Sequence, residues 1–302
     1  MCKLDEPHFH DDSAARQYLE ATLWPNGPTC PHCGSIYTAY ITRKPGLYRC
    51  GAKECRMDFT VTVGTVFERS KIPLHKWLLA SFLLCSSKKG MSAHQLHRTI
   101  GVTYKTAWFM AHRLREAMKD GNTAPFGDKG KPVEVDETYW GNTGKQRKGA
   151  RGYAHKMKVV TLVERDGEKR SFHVANVTAN TVRPILNTQV SKKARLMTDE
   201  ASVYTKIGRE FAEHGVVNHS AGEYVNGDIT TNTVESSFAI LKRGLYGTFH
   251  HVSEAHLQRY ATEFDFRWNH RAKLGFTDSD RTMAALKGIV GKRLMYRDSD
   301  LR

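Results

Sequence analysis

Apolar and polar positions change period several times along the chain, and each change marks a new element. SAARQYLEAT (13–22) carries its apolar residues at helical spacing and stops at the turn WPNGP (24–28). Between 30 and 67 the period shortens. AYITRKPGLYRC and DFTVTVGTVF alternate or favour β-branched and aromatic residues, and Pro45-Gly46 makes a hairpin turn within the first run. Pro73 and LHKWLLASFLLC then open a helix, with the proline near its first turn. SAHQLHRTIG ends at Gly101, and TYKTAWFMAHRLREAMKD runs from Thr103 to about Lys119. A short helix, a glycine turn and a longer basic helix form the outline of a helix-turn-helix.

The polar, glycine-rich stretch DGNTAPFGDKGKP (120–132) reads as a linker, and the pattern beyond it is different. VEVDETYW (133–140), KMKVVTLVER (156–165) and KRSFHVANV (169–177) are predicted strands, the last two joined at Asp166-Gly167. NTVRPILNTQV reads as a helix, ARLMTDE (194–200) as a strand and ASVYTKIGREF as another helix. A Gly/Asn-rich loop after Val216-Val217 leads into a patterned helix from near Thr231 to about Arg243. Three strands followed by helix–strand–helix alternation predict an α/β domain with a mixed sheet. The tail holds one modest helix, DRTMAALKGIVGKRL. The predicted division is 1–68 for the N-terminal helix and cysteine-rich module, 69–119 for the helix-turn-helix-like segment, 120–132 for the linker, 133–272 for the α/β domain and 273–302 for the tail.

Charge sharpens this picture. Lys and Arg number 46 against 31 Asp and Glu, a net +15 that favours a polyanionic partner. The excess is densest at 29–131, with seventeen basic and six acidic side chains. A second basic stretch, 141–158, holds six Lys or Arg and no acid, and Lys145, Arg147, Lys148 and Arg151 in it are candidate phosphate contacts. On the helix from Thr103, Lys105, Arg113, Arg115 and Lys119 are candidate DNA contacts. With 40% hydrophobic residues a packed core is expected. The longest apolar run, Trp77 to Cys85, is half of what a membrane helix needs, so no spanning segment is expected. MCKLDEPHFHDD lacks the features of a secretion signal, and the expected location is the cytoplasm.

Cys30, Cys33, Cys50 and Cys55 form a C-x2-C, sixteen-residue gap, C-x4-C arrangement. In a reducing compartment two close pairs flanking a hairpin read as a structural Zn²⁺ site of the ribbon type, and small buried cysteines or a redox pair are the bland alternative. The second knuckle is wider than usual.

Three acids are embedded in apolar sequence. Asp136 sits mid-strand, on the same face as Glu134, and Asp199 ends a strand. Glu235 lies at the edge of the apolar stripe Val234, Phe238, Leu241, with Lys242 two turns later on the same edge. Three carboxylates on three elements can hold two divalent hard cations for phosphoryl transfer.

These residues carry a resemblance. GTVFERSKIPLHKWLLA (64–80), SAHQLHRTIGVTYKTAWFMAHR (92–113), VEVDETYWG (133–141), TDEASVY (198–204), VNHSAGEYV (217–225), TNTVESSFAILKRGLYGTFHHVS (231–253) and HLQRYATEFDFRWNHR (256–271), with the cysteine knuckles, resemble bacterial insertion-sequence transposases of the DDE type, ISXO-like group. The resemblance implies a ribonuclease H-like catalytic domain behind a zinc ribbon. It implies a triad of Asp136, Asp199 and Glu235 binding two Mg²⁺ or Mn²⁺, with Lys242 as the trailing basic residue and Asn232 as the alternative third ligand. The implied activity is cleavage and 3′-OH strand transfer at the inverted-repeat ends of an element, by at least a dimer on double-stranded DNA. An endonuclease that joins nothing, or an inactive DNA-binding relic, are the alternative readings.

Overall fold

The computed structural model describes residues 3–36, 39–42, 44–143 and 152–295. The chain divides into two compact units, Met1–Lys119 with Ala272–Arg302, and Asp120–Arg271.

In the first unit, helix α1 (Asp12–Leu23) starts where the Asp11 carboxylate accepts the Ala14 N–H at 2.7 Å, and it buries Ala15 and Leu19, one turn apart. Strands β1 (Ala39–Ile41), β2 (Tyr48–Cys50) and β3 (Asp58–Phe59) pair antiparallel in that order. Their core is small: Cys30, Tyr48, Cys50 and Phe59, with Trp24 edge-on to both aromatic rings at 5.4 and 5.8 Å. Helix α2 (Leu74–Ser86) follows Pro73 and buries a broad face, Trp77, Leu78, Ala80, Ser81, Phe82, Leu84 and Cys85. A face that broad needs cover from more than one neighbour. That requirement explains the fate of the tail, whose helix Asp278–Lys287 packs along α2 and opens with a reciprocal Thr277–Asp280 cap. Helix α3 (Ala93–Ile100) ends at Gly101, whose φ of 63° supplies the left-handed residue of the turn. Helix α4 (Tyr104–Ala117) begins at Thr103, whose hydroxyl accepts the Thr106 N–H at 3.2 Å.

The second unit is a five-stranded sheet between two helical layers. Strands β4 (Pro132–Trp140), β5 (Met157–Glu164), β6 (Lys169–Val174), β7 (Arg195–Asp199) and β8 (Glu213–Val217) lie in the order β6-β5-β4-β7-β8. β5 runs antiparallel to both β4 and β6, and β7 and β8 continue parallel to β4. This is the mixed sheet expected, with an order consistent with a ribonuclease H-like fold. Strand β8 is an addition to the sequence reading, since EHGVV is short and has only two apolar residues to mark it.

Alternation sorts the strands' faces. Val133, Val135, Val160, Leu162 and Leu196 pack under helices α5 (Ala179–Gln189) and α6 (Ser202–Ile207). Trp140, Met157, Val159 and Val163 turn to α7 (Asn232–Gly244) and α8 (Glu254–Asn269). No described helix is long and apolar enough to cross a membrane.

Candidate active site and metal centre

The four ribbon cysteines converge. Their sulfurs all lie within 4.8 Å of one another, with Cys30–Cys55 at 3.8 Å and Cys33–Cys50 at 3.6 Å. A tetrahedron with Zn–S bonds of about 2.3 Å has sulfurs about 3.8 Å apart, so the set fits one Zn²⁺. Each knuckle ends on a left-handed residue, Gly34 (φ 73°) and Arg56 (φ 51°), and the wide second one closes through Cys55 and Arg56 N–H groups donated to the Ala52 carbonyl. The thiols titrate in opposite directions: the Ala52 backbone and its sulfur neighbours lower Cys50, while Cys33 is raised. Cys85 is buried in α2, as a core residue.

The acids gather at the sheet's centre. β4 and β7 pair with Glu134 opposite Met197, and continuing this parallel register by two residues brings Asp136 level with Asp199. Asp136 Oδ1 accepts the Glu137 N–H at 2.7 Å. Burial, followed by the charges of Glu137 and Asp199 and more weakly of Glu235, pushes the Asp136 carboxyl up to about 8. Asp199, which accepts the Ala201 N–H at 3.1 Å, is also raised, first by burial, with Glu200 and Glu235 adding to it and His219 opposing. Glu235, in the first turn of α7, accepts the Thr231 hydroxyl at 2.8 Å and lies 3.3 Å from His219 Nε2. The side chain of Glu235 is exposed, at 43%. Asp136, Asp199 and Glu235 offer carboxylate oxygens, the donors that hard divalent cations take, while among the described residues the four cysteines are the one group already close enough together to share an ion. Lys242 is half-buried further along α7, and Asn232 is exposed at the helix's first position.

Three participants escaped the sequence reading. Glu137 is a fourth carboxylate beside Asp136, its pKa raised by burial although the buried Tyr204 hydroxyl donates to it at 2.7 Å. The adjacency Asp-Glu inside an apolar strand was its available signal. His219 follows β8 much as Asp199 ends β7, and its ring also meets the Thr231 hydroxyl at 3.2 Å. Glu200 holds that loop by accepting the His219 and Ser220 N–H groups, both at 3.0 Å, and the Ser220 hydroxyl. The third, Glu134, is taken up below.

The proposed DNA contacts on α4 need correction. Arg113 is 8% and Arg115 2% exposed. Arg113 donates to the Glu68 and Leu294 carbonyls at 3.2 and 3.3 Å and lies over the Phe109 ring, so it is a packing residue. Lys105 is exposed at the start of α4, while Lys119 pairs with Glu116 at 2.6 Å. Beside Lys105 the exposed surface of the turn comprises His94, Gln95, Arg98, Thr99 and Tyr104, with His94 stacked on Tyr104 at 4.2 Å. Lys145, Arg147, Lys148 and Arg151 lie outside the described residues.

Comparison with known proteins adds to this geometry. Residues 129–269 match the family described as ISXO2-like transposase domain, and residues 10–58 match the transposase zinc-ribbon domain. The chain is also 30% identical, over 276 residues, to a protein of Halobacterium salinarum described as an uncharacterized protein in transposable element ISH50. That similarity covers 86% of this chain and 91% of the relative.

Proposed function

The chain belongs to the family of ISXO2-like transposases, and from that premise we propose that it cuts and joins DNA at a divalent-metal site held by Asp136, Asp199 and Glu235. The observation that carries the proposal is the crowding of these acids on β4, β7 and α7, where neighbouring carboxylates help push Asp136 up to about 8. In the first step a water oxygen attacks the phosphorus at the element's end, the P–O3′ bond breaks, and the 3′-hydroxyl leaves with a proton. In the second step that hydroxyl attacks a target phosphodiester, with the displaced oxygen leaving in line. Two bound Mg²⁺ or Mn²⁺ would supply charge neutralisation at the attacking and leaving oxygens. The chain's own part is alignment. The three carboxylates fix the cations' places, His219 and Thr231 orient Glu235, and Lys242 anchors a phosphate near the site.

For recognition, we propose that the ribbon and the exposed turn of α3 and α4 read the inverted-repeat ends, with Lys105 and Arg98 on phosphates and Thr103 and Tyr104 toward base edges. Bringing two ends together requires at least two chains on the DNA, inside the cell. The test is an end-labelled duplex carrying the element's terminus, incubated with Mg²⁺ or Mn²⁺. Strand cleavage by the wild type and its loss in Asp136→Asn and Asp199→Asn are expected. Normal cleavage by either variant ends the proposal.

A further inference from the structure

Glu134 is a carboxylate with no solvent exposure, two residues before Asp136 and on the same face of β4. Ionised carboxylates are seldom buried without a specific set of donors. Here the donors come from the start of α7, about a hundred residues later. Glu134 Oε2 accepts the Thr233 and Val234 N–H groups at 2.8 and 3.0 Å, and Oε1 accepts the Thr233 hydroxyl at 2.8 Å. Arg165 completes the set, with Nε and Nη2 at 3.1 and 3.0 Å from Oε1. The same guanidinium donates to the Asp228 and Thr230 carbonyls at 2.9 and 3.4 Å, on the segment leading into the helix.

A helix usually satisfies its first N–H groups with the side chain of its own N-cap residue. In α7 the N-cap is Thr231, which makes no such bond and instead donates its hydroxyl to Glu235. The capping duty at the second and third helical positions has passed to the strand that carries Asp136. Glu235 is the very next residue after Val234. One side chain therefore ties the backbone that carries the third acid to the strand that carries the first.

We propose that Glu134, with Arg165, is a positioning residue of the active site: it sets the spacing of Glu235 from Asp136 and thereby the affinity of the triad for divalent cations. This rests on the reading of Asp136, Asp199 and Glu235 as the metal site. Groups that orient ligands from behind typically change metal affinity 10–100-fold when altered.

Mn²⁺ binding to the full-length, zinc-loaded protein, followed through the electron paramagnetic resonance signal of free Mn²⁺, separates this role from simple stability. Thermal melts are run on the same preparations. Glu134→Gln keeps the shape but presents an amide to donors, and it should bind Mn²⁺ about 10–100-fold more weakly. Cleavage activity should recover as Mn²⁺ is raised. The control is Asp265→Asn. Asp265 makes a comparable clamp between α8 and β6, accepting the Ser171 N–H and hydroxyl at 2.7 Å each and pairing with Lys169 at 3.2 Å. That clamp lies at the sheet's edge, so its loss should lower the melting temperature and leave Mn²⁺ affinity unchanged.

If Glu134→Gln does not fold, Thr233→Val takes its place: it removes one bond to Glu134 and leaves the carboxylate, and a smaller fall in affinity is expected. Wild-type Mn²⁺ affinity in a folded Glu134→Gln protein overturns the proposal, and so does unchanged affinity in Thr233→Val where that variant is used. Equal Mn²⁺ binding by wild type and Glu235→Gln would instead mean that the triad is not the metal site, which removes the premise separately.

Discussion

Arg113 offers a quantitative test of how the basic surface is divided between packing and DNA. Its guanidinium bridges the Glu68 and Leu294 carbonyls and sits over Phe109 at 5.1 Å, and burial pulls its pKa down from the ordinary arginine value. Arg113→Ala deletes two charge-assisted hydrogen bonds, each contributing about 1.5 kcal/mol at the low end appropriate to distances above 3 Å. The sum is about 3 kcal/mol, which for a unit of this size lowers the melting temperature by roughly 6–12 °C. A phosphate contact gives a different signature, because each one contributes about 0.9 to the slope of log K against log salt. Lys105→Ala should lower that slope by about 0.9. Arg113→Ala, assayed below its melting point, should keep the slope. Calorimetric melts and gel shifts across a salt series read both. Unchanged stability with a slope reduced by about 0.9 in Arg113→Ala would refute the assignment.

Two further outcomes follow from the geometry. Cys30→Ser or Cys50→Ser should unfold the ribbon, whose core is too small to stand without its metal, and abolish binding to the element's ends in gel shifts. Mn²⁺-dependent nicking of unrelated DNA should survive in part, since the acids belong to the other unit. The Asp136 carboxyl, raised to about 8, binds its proton more tightly folded than unfolded, so metal-free stability is lost as pH rises from about 4 towards 8. Asp136→Asn should therefore gain stability over the wild type progressively across that window in denaturant titrations, and a gain independent of pH would contradict the crowding of charges.

Local pattern made some of this protein legible and long-range packing hid the rest. The knuckles Cys30–Cys33 and Cys50–Cys55 declare themselves because metal ligation demands short spacings. Alternation in VEVDETYW and the stripe Val234, Phe238, Leu241 placed Asp136 and Glu235 on a strand and a helix that do adjoin. Arg113 and Arg115 look exposed on the polar face of α4, yet both are buried, and the carbonyls that receive Arg113, at Glu68 and Leu294, lie far off in sequence. Glu134 could not be distinguished from a surface acid, for its donors Thr233 and Val234 lie far off in sequence. His219 gains meaning only once β8 is seen to run beside β7.

The most direct test of the account supplies element-end duplexes already bearing a free 3′-hydroxyl, together with a supercoiled target plasmid, in Mg²⁺ or Mn²⁺. Wild-type protein should join the two, and Asp136→Asn, Asp199→Asn and Glu235→Gln proteins that still bind the ends should not. Cleavage of DNA with no joined product from the wild type, or joining that persists without Glu235, would contradict a transposase active site built on these three acids.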